Sequence, residues 1–180
     1  MRDRFNAKIR NWLVVGGLLL LMSMTSVGYV QAQGLSDEEI NWLTYMREEE
    51  KLARDVYLVL YDEWRSRIFK TISASEQTHM DAIKTLLDRY GIPDPAVEAE
   101  LGKFTNPGLQ ALYDKLIETG SLSLPEALEV GVEIEETDID DLTEGIAASS
   151  THKDIVTVYG NLLAGSLNHR DAFNTNLARQ

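Results

Sequence analysis

Glutamate and histidine occur together at a helical spacing in this sequence. Glu76 and His79 are three residues apart in a segment that contains neither glycine nor proline. Residues three apart lie on the same face of a helix, so this carboxylate and this imidazole can reach one ion. Glu50, Glu135 and His169, which can also bind metals, occur in three other segments. The pattern predicts a metal site built from several helices.

These residues interrupt apolar stripes. Glu50 lies in a stripe whose members are three or four residues apart, namely Leu43, Met46, Ala53, Tyr57, Leu60 and Trp64. Glu76 and His79 interrupt a second stripe, formed by Ile72, Ile83, Leu86 and Tyr90. Carboxylates buried together must stay partly protonated unless a cation compensates their charge. A pair of divalent ions would provide that compensation.

Each residue taken alone has a simpler interpretation. Runs of glutamate on helices are usually solvated, and we predict this for Glu48 and Glu49. If the predicted helix phase is wrong by one residue, either of them replaces Glu50 as a ligand. A single histidine on an apolar face is more often a hydrogen-bonded core residue than a ligand. In a third interpretation, the interior polar groups bond to one another in a metal-free bundle.

Local signals predict the two helices of the first half. Ser36 and Glu39 have the spacing of a capping box, and no glycine or proline follows before Trp64. A second helix is predicted from near Ser66 to Gly91, since glycine commonly follows a helix end.

The second half contains three more helix signals. Asn106 and Pro107 resemble an N-cap and a first helical residue, and they predict a short helix to about Thr119. Ser123 begins the next helix, and residues 148–151 separate it from the last one. The sequence therefore predicts an all-α, ferritin-like four-helix bundle. Its crossover between the second and third long helices is long and contains the short helix.

The first 32 residues are predicted to be a signal peptide. Basic residues precede an apolar stretch, and small residues follow where a signal peptidase would cut. The alternative is an uncleaved membrane anchor. We expect cleavage, a bundle domain over residues 33–180, no membrane association afterwards, and an extracytoplasmic location, either periplasmic or secreted.

Charge and cysteine content exclude several classes of function. Residues 33–180 contain 13 Lys and Arg against 28 Asp and Glu, a net charge of −15. Nucleic acids and anionic membrane surfaces are therefore unsuitable partners. The chain has no cysteine, so thiolate metal sites and thiol catalysis are excluded. A metal would have to be bound by carboxylates and imidazoles.

Four segments carry a resemblance to a known superfamily: "EEEKLARDVY", "SEQTHMDAI", "IEETDIDDL" and "GSLNHRDAF". They resemble motifs of an uncharacterised family within the ferritin-like superfamily and, more remotely, of ferritins, bacterioferritins and rubrerythrins. The resemblance implies five metal ligands, Glu50, Glu76, His79, Glu135 and His169. It also implies that Tyr57 is a hydrogen-bond donor or redox-active residue with a catalytic role near the metal ions.

The chain departs from the superfamily pattern at Ser166. A glutamate is expected there, so the site would lack one carboxylate. Asp138, three residues after Glu135, resembles the additional carboxylate on the third helix of rubrerythrins. We therefore include Asp138 as a candidate ligand, on its spacing alone.

The expected function follows from the ligand types. Carboxylates with two imidazoles suit two iron ions, with manganese as the other choice. The resemblance implies ferroxidase or peroxide-reducing activity with dioxygen or peroxide as the partner molecule. The alternative is a non-catalytic acidic helical module that sequesters metal or binds a partner. Whether the chain forms a homo-oligomer is left open.

Overall fold

The structure is a computed structural model that describes residues 34–96 and 100–180. This part of the chain contains five helices and no strand, which confirms the all-α prediction there. The helices are α1 (Asp37–Trp64), α2 (Arg67–Tyr90), α3 (Pro107–Gly120), α4 (Leu124–Ala148) and α5 (Lys153–Leu177). None of these five helices combines the length and apolar character needed to cross a bilayer. The predicted signal peptide, residues 1–32, lies outside the described residues.

The helix ends follow the predicted capping signals. The Ser36 and Glu39 side chains form both hydrogen bonds of a capping box at the start of α1. Gly91 ends α2 with a φ of 67°, a backbone conformation that favours glycine. The side chains of Asn106 and Ser123 accept hydrogen bonds from the first turns of α3 and α4. Local sequence therefore determines where these helices begin and end.

The helices pack in two close pairs. Helix α1 packs along α2, and α4 packs along α5. Contacts between α1 and α4 and between α2 and α5 join the pairs, while α3 packs against α1 and α4. Helix α1 therefore has neighbours in three directions.

Two apolar clusters are separated by a layer of polar side chains. The first cluster includes Val56, Tyr57, Leu60, Phe69, Ile72, Leu128, Ile134 and Phe173. The second includes Leu43, Met46, Ile83, Leu86, Leu142, Ile155, Tyr159 and Leu162. On each long helix, buried polar residues lie between these two sets: Glu50 on α1, Glu76 and His79 on α2, Glu135 and Asp138 on α4, and Ser166 on α5. The apolar clusters therefore separate the polar layer from water at both ends.

Glu48 attaches α1 to the chain segment that precedes α3. Its carboxylate accepts a hydrogen bond of 2.8 Å from the Thr105 hydroxyl and one of 3.1 Å from the Asn106 backbone amide. The prediction that Glu48 is solvated is therefore wrong. Its exposed fraction is only 2%, because the segment around residue 105 covers this face of α1.

A buried ion pair lies one turn further along the same face. The Lys51 ammonium pairs with Asp55 and donates hydrogen bonds to the backbone carbonyls of Glu100 and Lys103. Asp55 also accepts a 2.8 Å hydrogen bond from the Gly102 amide. These bonds satisfy backbone groups of a segment without regular secondary structure, and they fix that segment against α1.

Candidate metal centre

Five of the predicted ligands meet in the polar layer. Their ligand atoms form two groups, within each of which all atoms lie within 4.8 Å of one another. One group is Glu50, Glu76 and His79, and the other is Glu76, Glu135 and His169. The residues come from α1, α2, α4 and α5, and Glu76 belongs to both groups. The structure thus brings together residues that are up to 119 positions apart in sequence.

The two histidines present the same nitrogen to the carboxylates. His79 Nδ1 lies 2.8 Å from Glu76 Oε2 and 3.2 Å from Glu50 Oε2. His169 Nδ1 lies 2.8 Å from Glu76 Oε1 and 3.5 Å from Glu135 Oε2. The imidazole rings are stacked with their centroids 5.5 Å apart. Glu76 therefore directs one oxygen to each histidine.

Neighbouring hydroxyl groups orient two of these residues. The Tyr57 hydroxyl donates a 2.7 Å hydrogen bond to Glu135 Oε1. Ser75 Oγ lies 3.0 Å from His169 Nε2, the nitrogen that points away from the carboxylates. A hydrogen bond at this nitrogen fixes the orientation of the ring. Tyr57 was predicted from the sequence, whereas Ser75 was not, because a serine on a polar helix face has no distinguishing pattern.

Gly165 allows α5 to approach His79. A Cβ atom at position 165 would lie 2.7 Å from His79 Nε2, which is shorter than real contacts of this kind. Glycine inside a helix costs about 1 kcal/mol relative to alanine, so its presence in α5 was a usable signal. The close approach places the backbone of α5 against the imidazole ring.

Asp138 on α4 lies against Ser166 on α5. The Ser166 hydroxyl on α5 donates a hydrogen bond to Asp138 Oδ2 on α4. The other oxygen, Asp138 Oδ1, is buried and has no hydrogen-bond partner. The small serine side chain therefore leaves room for a carboxylate that comes from the opposite helix. Asp138 is itself buried, with 5% of its surface exposed.

Electrostatics make Glu76 and His169 an ion pair. Burial by itself would raise the pKa of Glu76, but contacts with His169 and His79 hold it at about 2. Burial favours neutral His169, yet its contacts with Glu135 and Glu76 raise its pKa to about 9. At neutral pH, without metal, Glu76 is therefore charged and His169 carries a proton.

The other carboxylates of the layer retain protons instead. Burial, reinforced by the charges of Glu135 and Glu76, raises the pKa of Asp138 to about 8. Burial also raises the pKa of Glu135 to about 7. Burial also raises the pKa of Glu50, and the largest charge effects on it come from Asp138 and Glu76. A cation in this layer would replace these protons.

Glu49 was also predicted to be solvated, and this prediction is wrong as well. It is 5% exposed, and burial together with the charge of Asp141 on α4 raises its pKa. Glu48, Glu49 and Glu50 are therefore all buried, in three different environments. Of these three glutamates only Glu50 belongs to a ligand group, so the predicted helix phase on α1 is correct.

Comparisons with known proteins identify the family. A family model described as "Uncharacterized protein domain (DUF2202)" matches residues 39–180. Uncharacterized protein MJ0754 of Methanocaldococcus jannaschii is 53% identical over 141 residues, which cover 78% of this chain and 76% of that protein.

Two solved structures are similar in fold. The crystal structure of hypothetical protein MJ0754 from Methanococcus jannaschii DSM 2661 has a TM-score of 0.80 and 50% identity, covering 84% of this chain and 86% of that one. A DUF305 fragment from Deinococcus radiodurans has a TM-score of 0.65 and 13% identity, covering 81% and 98%, so that likeness concerns the fold alone. With the family model matching most of its length, the chain belongs to the DUF2202 family of uncharacterised protein domains.

Proposed function

We propose that this protein is a ferritin-like four-helix bundle that binds two metal ions in its core. In this description α1, α2, α4 and α5 form the bundle, and α3 lies in the long crossover between α2 and α4. The pairwise packing of the long helices and the length of the connection from residue 91 to residue 123 support the proposal.

One observation carries the metal proposal. Two ligand groups, each with two carboxylates and one imidazole, share Glu76 and draw on all four long helices. Glu76 would be the carboxylate common to both ions, because one of its oxygens lies beside each histidine. Glu50 with His79 would complete one ion's protein ligands, and Glu135 with His169 those of the other.

The donor set fits iron or manganese. Two imidazoles and several carboxylates suit these ions better than copper or a structural zinc ion. When bound, such a pair supplies two-electron redox chemistry with dioxygen or peroxide as the electron acceptor. Tyr57 would hold Glu135 in place and Ser75 would hold His169, while the apolar clusters exclude bulk water. We further propose that the protein acts outside the cytoplasm, with ferrous iron or peroxide as its substrate.

Elemental analysis tests the metal pair. Mature protein without a histidine tag, loaded anaerobically with ferrous iron and freed of excess, is expected to retain about two irons per chain. The Glu76→Ala, His79→Ala double variant should retain almost none, because it removes the shared carboxylate and one imidazole. The Thr78→Ala, Asp81→Ala double variant is the matched control, since both residues lie on the exposed face of α2.

Two results would decide between the proposal and its alternatives. Absence of stoichiometric iron in the parent would contradict the metal pair and leave a structural role for the buried carboxylates. Retained iron without oxygen consumption on ferrous addition would favour metal sequestration. Sequestration is the second candidate function because Ser166 stands where the superfamily pattern has a ligand.

The role of Asp138 can be tested separately. Asp138→Ala should lower bound iron from about two to about one per chain, because the buried Oδ1 has no hydrogen-bond partner and can substitute for the missing glutamate oxygen. Ser166→Glu should leave the iron content unchanged if Asp138 already supplies that ligand. The opposite pattern, in which Ser166→Glu loses bound iron and Asp138→Ala does not, would show that Asp138 is not a ligand.

A further inference from the structure

A small cavity lies at the side of the bundle, between α1, α3 and α4. Its walls are formed by Glu49 and Leu52 of α1, Leu112 and Leu116 of α3, and Glu133, Ile134 and Thr137 of α4. The cavity has room for about one water molecule, which is too little for an organic ligand but enough for a small ion. Its occupant is therefore an ion or a water molecule.

The inner wall of the cavity carries a buried carboxylate. Glu49 is 5% exposed, and its Oε2 atom has no hydrogen-bond partner. A buried polar atom without a partner costs free energy, and such atoms in proteins commonly meet water or an ion. Glu49 belongs to neither ligand group of the metal centre, so that site does not account for it. A cation that enters the cavity would provide the missing partner.

The outer wall of the cavity carries a second carboxylate. The Glu133 side chain is 39% exposed, and its Oε1 atom lies 3.4 Å from Lys115 Nζ of α3. An exposed ion pair of this kind contributes little free energy, so a divalent cation can displace the ammonium group. Glu133 and Glu49 therefore place one carboxylate near the surface and one inside the same cavity.

The cavity adjoins the metal ligands along the contact between α1 and α4. Glu49 directly precedes Glu50 on α1, and Ile134 directly precedes Glu135 on α4. Consecutive helical residues point about 100° apart, so the helix faces that line the cavity lie next to the faces that carry the ligands. Apolar clusters close both ends of the polar layer. A cation must therefore enter from the side of the bundle.

The opposite side of the bundle is less suited to attract a cation. There α2 and α5 present the imidazoles of His79 and His169, and the backbone of α5 at Gly165 lies close against the His79 ring. An imidazole is either neutral or positively charged, so it attracts a cation less than a carboxylate does. The side between α1 and α4 is therefore favoured for entry.

We propose that this cavity is the entry route for divalent cations to the metal centre, and that Glu133 and then Glu49 bind each cation on its way to Glu50. This route rests on the proposed function, because it is the path by which the metal pair is loaded. Carboxylate oxygens suit ions such as manganese. Charged groups that line a cleft raise the local concentration of the opposite ion and thus its rate of binding. The two glutamates therefore control the rate of loading, whereas the ligands determine the affinity.

The kinetics of manganese loading test the route. Free manganese gives a sharp electron paramagnetic resonance signal that broadens on binding, so metal-free protein is mixed with manganese and frozen at intervals. Glu49→Gln should slow loading by at least about tenfold, while the occupancy at equilibrium stays at about two ions per chain. Glu133→Gln should slow loading by a smaller factor, and Lys115→Met should accelerate it because the competing ammonium group is removed. Glu144→Gln, which removes an exposed carboxylate from the same helix, is the matched control and should load like the parent.

Release of manganese into excess chelator distinguishes a residue of the route from a ligand. A residue of the route should slow release by the same factor as loading, because the affinity is unchanged. Faster release or lower occupancy in Glu49→Gln would overturn the route, since Glu49 would then be a ligand. Rates equal to those of the parent in both Glu49→Gln and Glu133→Gln would also overturn it. That result would favour entry between α2 and α5 and would leave the metal pair intact.

Failure of the proposed function gives a different result. If the parent retains neither manganese nor ferrous iron at equilibrium, the metal pair and its route are both overturned. Full occupancy with slower loading and slower release in Glu49→Gln supports both. Circular dichroism of Glu49→Gln, which preserves the size of the side chain, verifies that the variant is folded.

Discussion

Replacing Asp55 by alanine is expected to lower the free energy of unfolding by about 3–5 kcal/mol. The Lys51 ammonium is 1% exposed and Asp55 is its only carboxylate partner among the contacts of the described residues. The substitution would leave a buried charge without a counter-ion and would remove the acceptor of the Gly102 amide. Urea denaturation of parent and variant at pH 7 measures the difference.

Two further variants make this prediction specific. Lys51→Met combined with Asp55→Ala should recover a large part of the loss, because removing both charges is less costly than leaving one buried. Asp62→Ala, which removes an exposed ion pair with Arg65, should change stability by less than about 0.5 kcal/mol. A loss below about 1 kcal/mol in Asp55→Ala would mean that this ion pair does not stabilise the attachment of residues 100–103 to α1.

The protein without metal is expected to lose at least about 3 kcal/mol of stability between pH 5 and pH 9. Asp138 and Glu135 have pKa values raised to about 8 and about 7, so the folded state holds protons that the unfolded chain has released. As the pH rises towards 8 and 7, the tendency of Asp138 and Glu135 to keep their protons lowers the free energy of unfolding more and more. His169 acts in the same direction, since the stability from its raised pKa is lost as pH rises through about 9.

Glu76 does not oppose this trend within the range. The pKa of Glu76 is lowered from its ordinary value of 4.5 to about 2. Its contribution to the free energy of unfolding is therefore complete above pH 4.5 and is lost only as the pH falls from there towards 2. Urea denaturation in chelator at one-unit pH intervals checks the prediction. A stability that rose from pH 5 to pH 9 would contradict it.

Metal should reverse the pH dependence. Ligands must lose their protons to bind an ion, so affinity increases with pH. With manganese at about 100 times its dissociation constant, each occupied site adds about 2.7 kcal/mol to the free energy of unfolding. In the presence of manganese, the free energy of unfolding should therefore stay constant or rise between pH 5 and pH 9, the range in which it falls in chelator. Glu76→Ala, His79→Ala should show the same profile with and without manganese.

The sequence by itself determined the helix boundaries and the five residues of the two ligand groups. The caps at Ser36, Asn106 and Ser123 are local hydrogen bonds, and local bonds depend on neighbouring residues alone. Helical periodicity identified Glu50, Glu76, His79, Glu135 and His169 because each interrupts an apolar stripe. The inward direction of those side chains follows from the stripe on which they lie.

Only the tertiary structure decided what surrounds each carboxylate. Successive helical residues point about 100° apart, so Glu48, Glu49 and Glu50 face three directions. Periodicity treats the directions away from the main stripe as solvent, but α1 is covered there by the segment around residue 105 and by α4. The contact of Ser166 with Asp138 likewise depends on how α5 packs on α4. Burial is a property of all the elements packed around a residue, and for these residues the covering elements are remote in sequence.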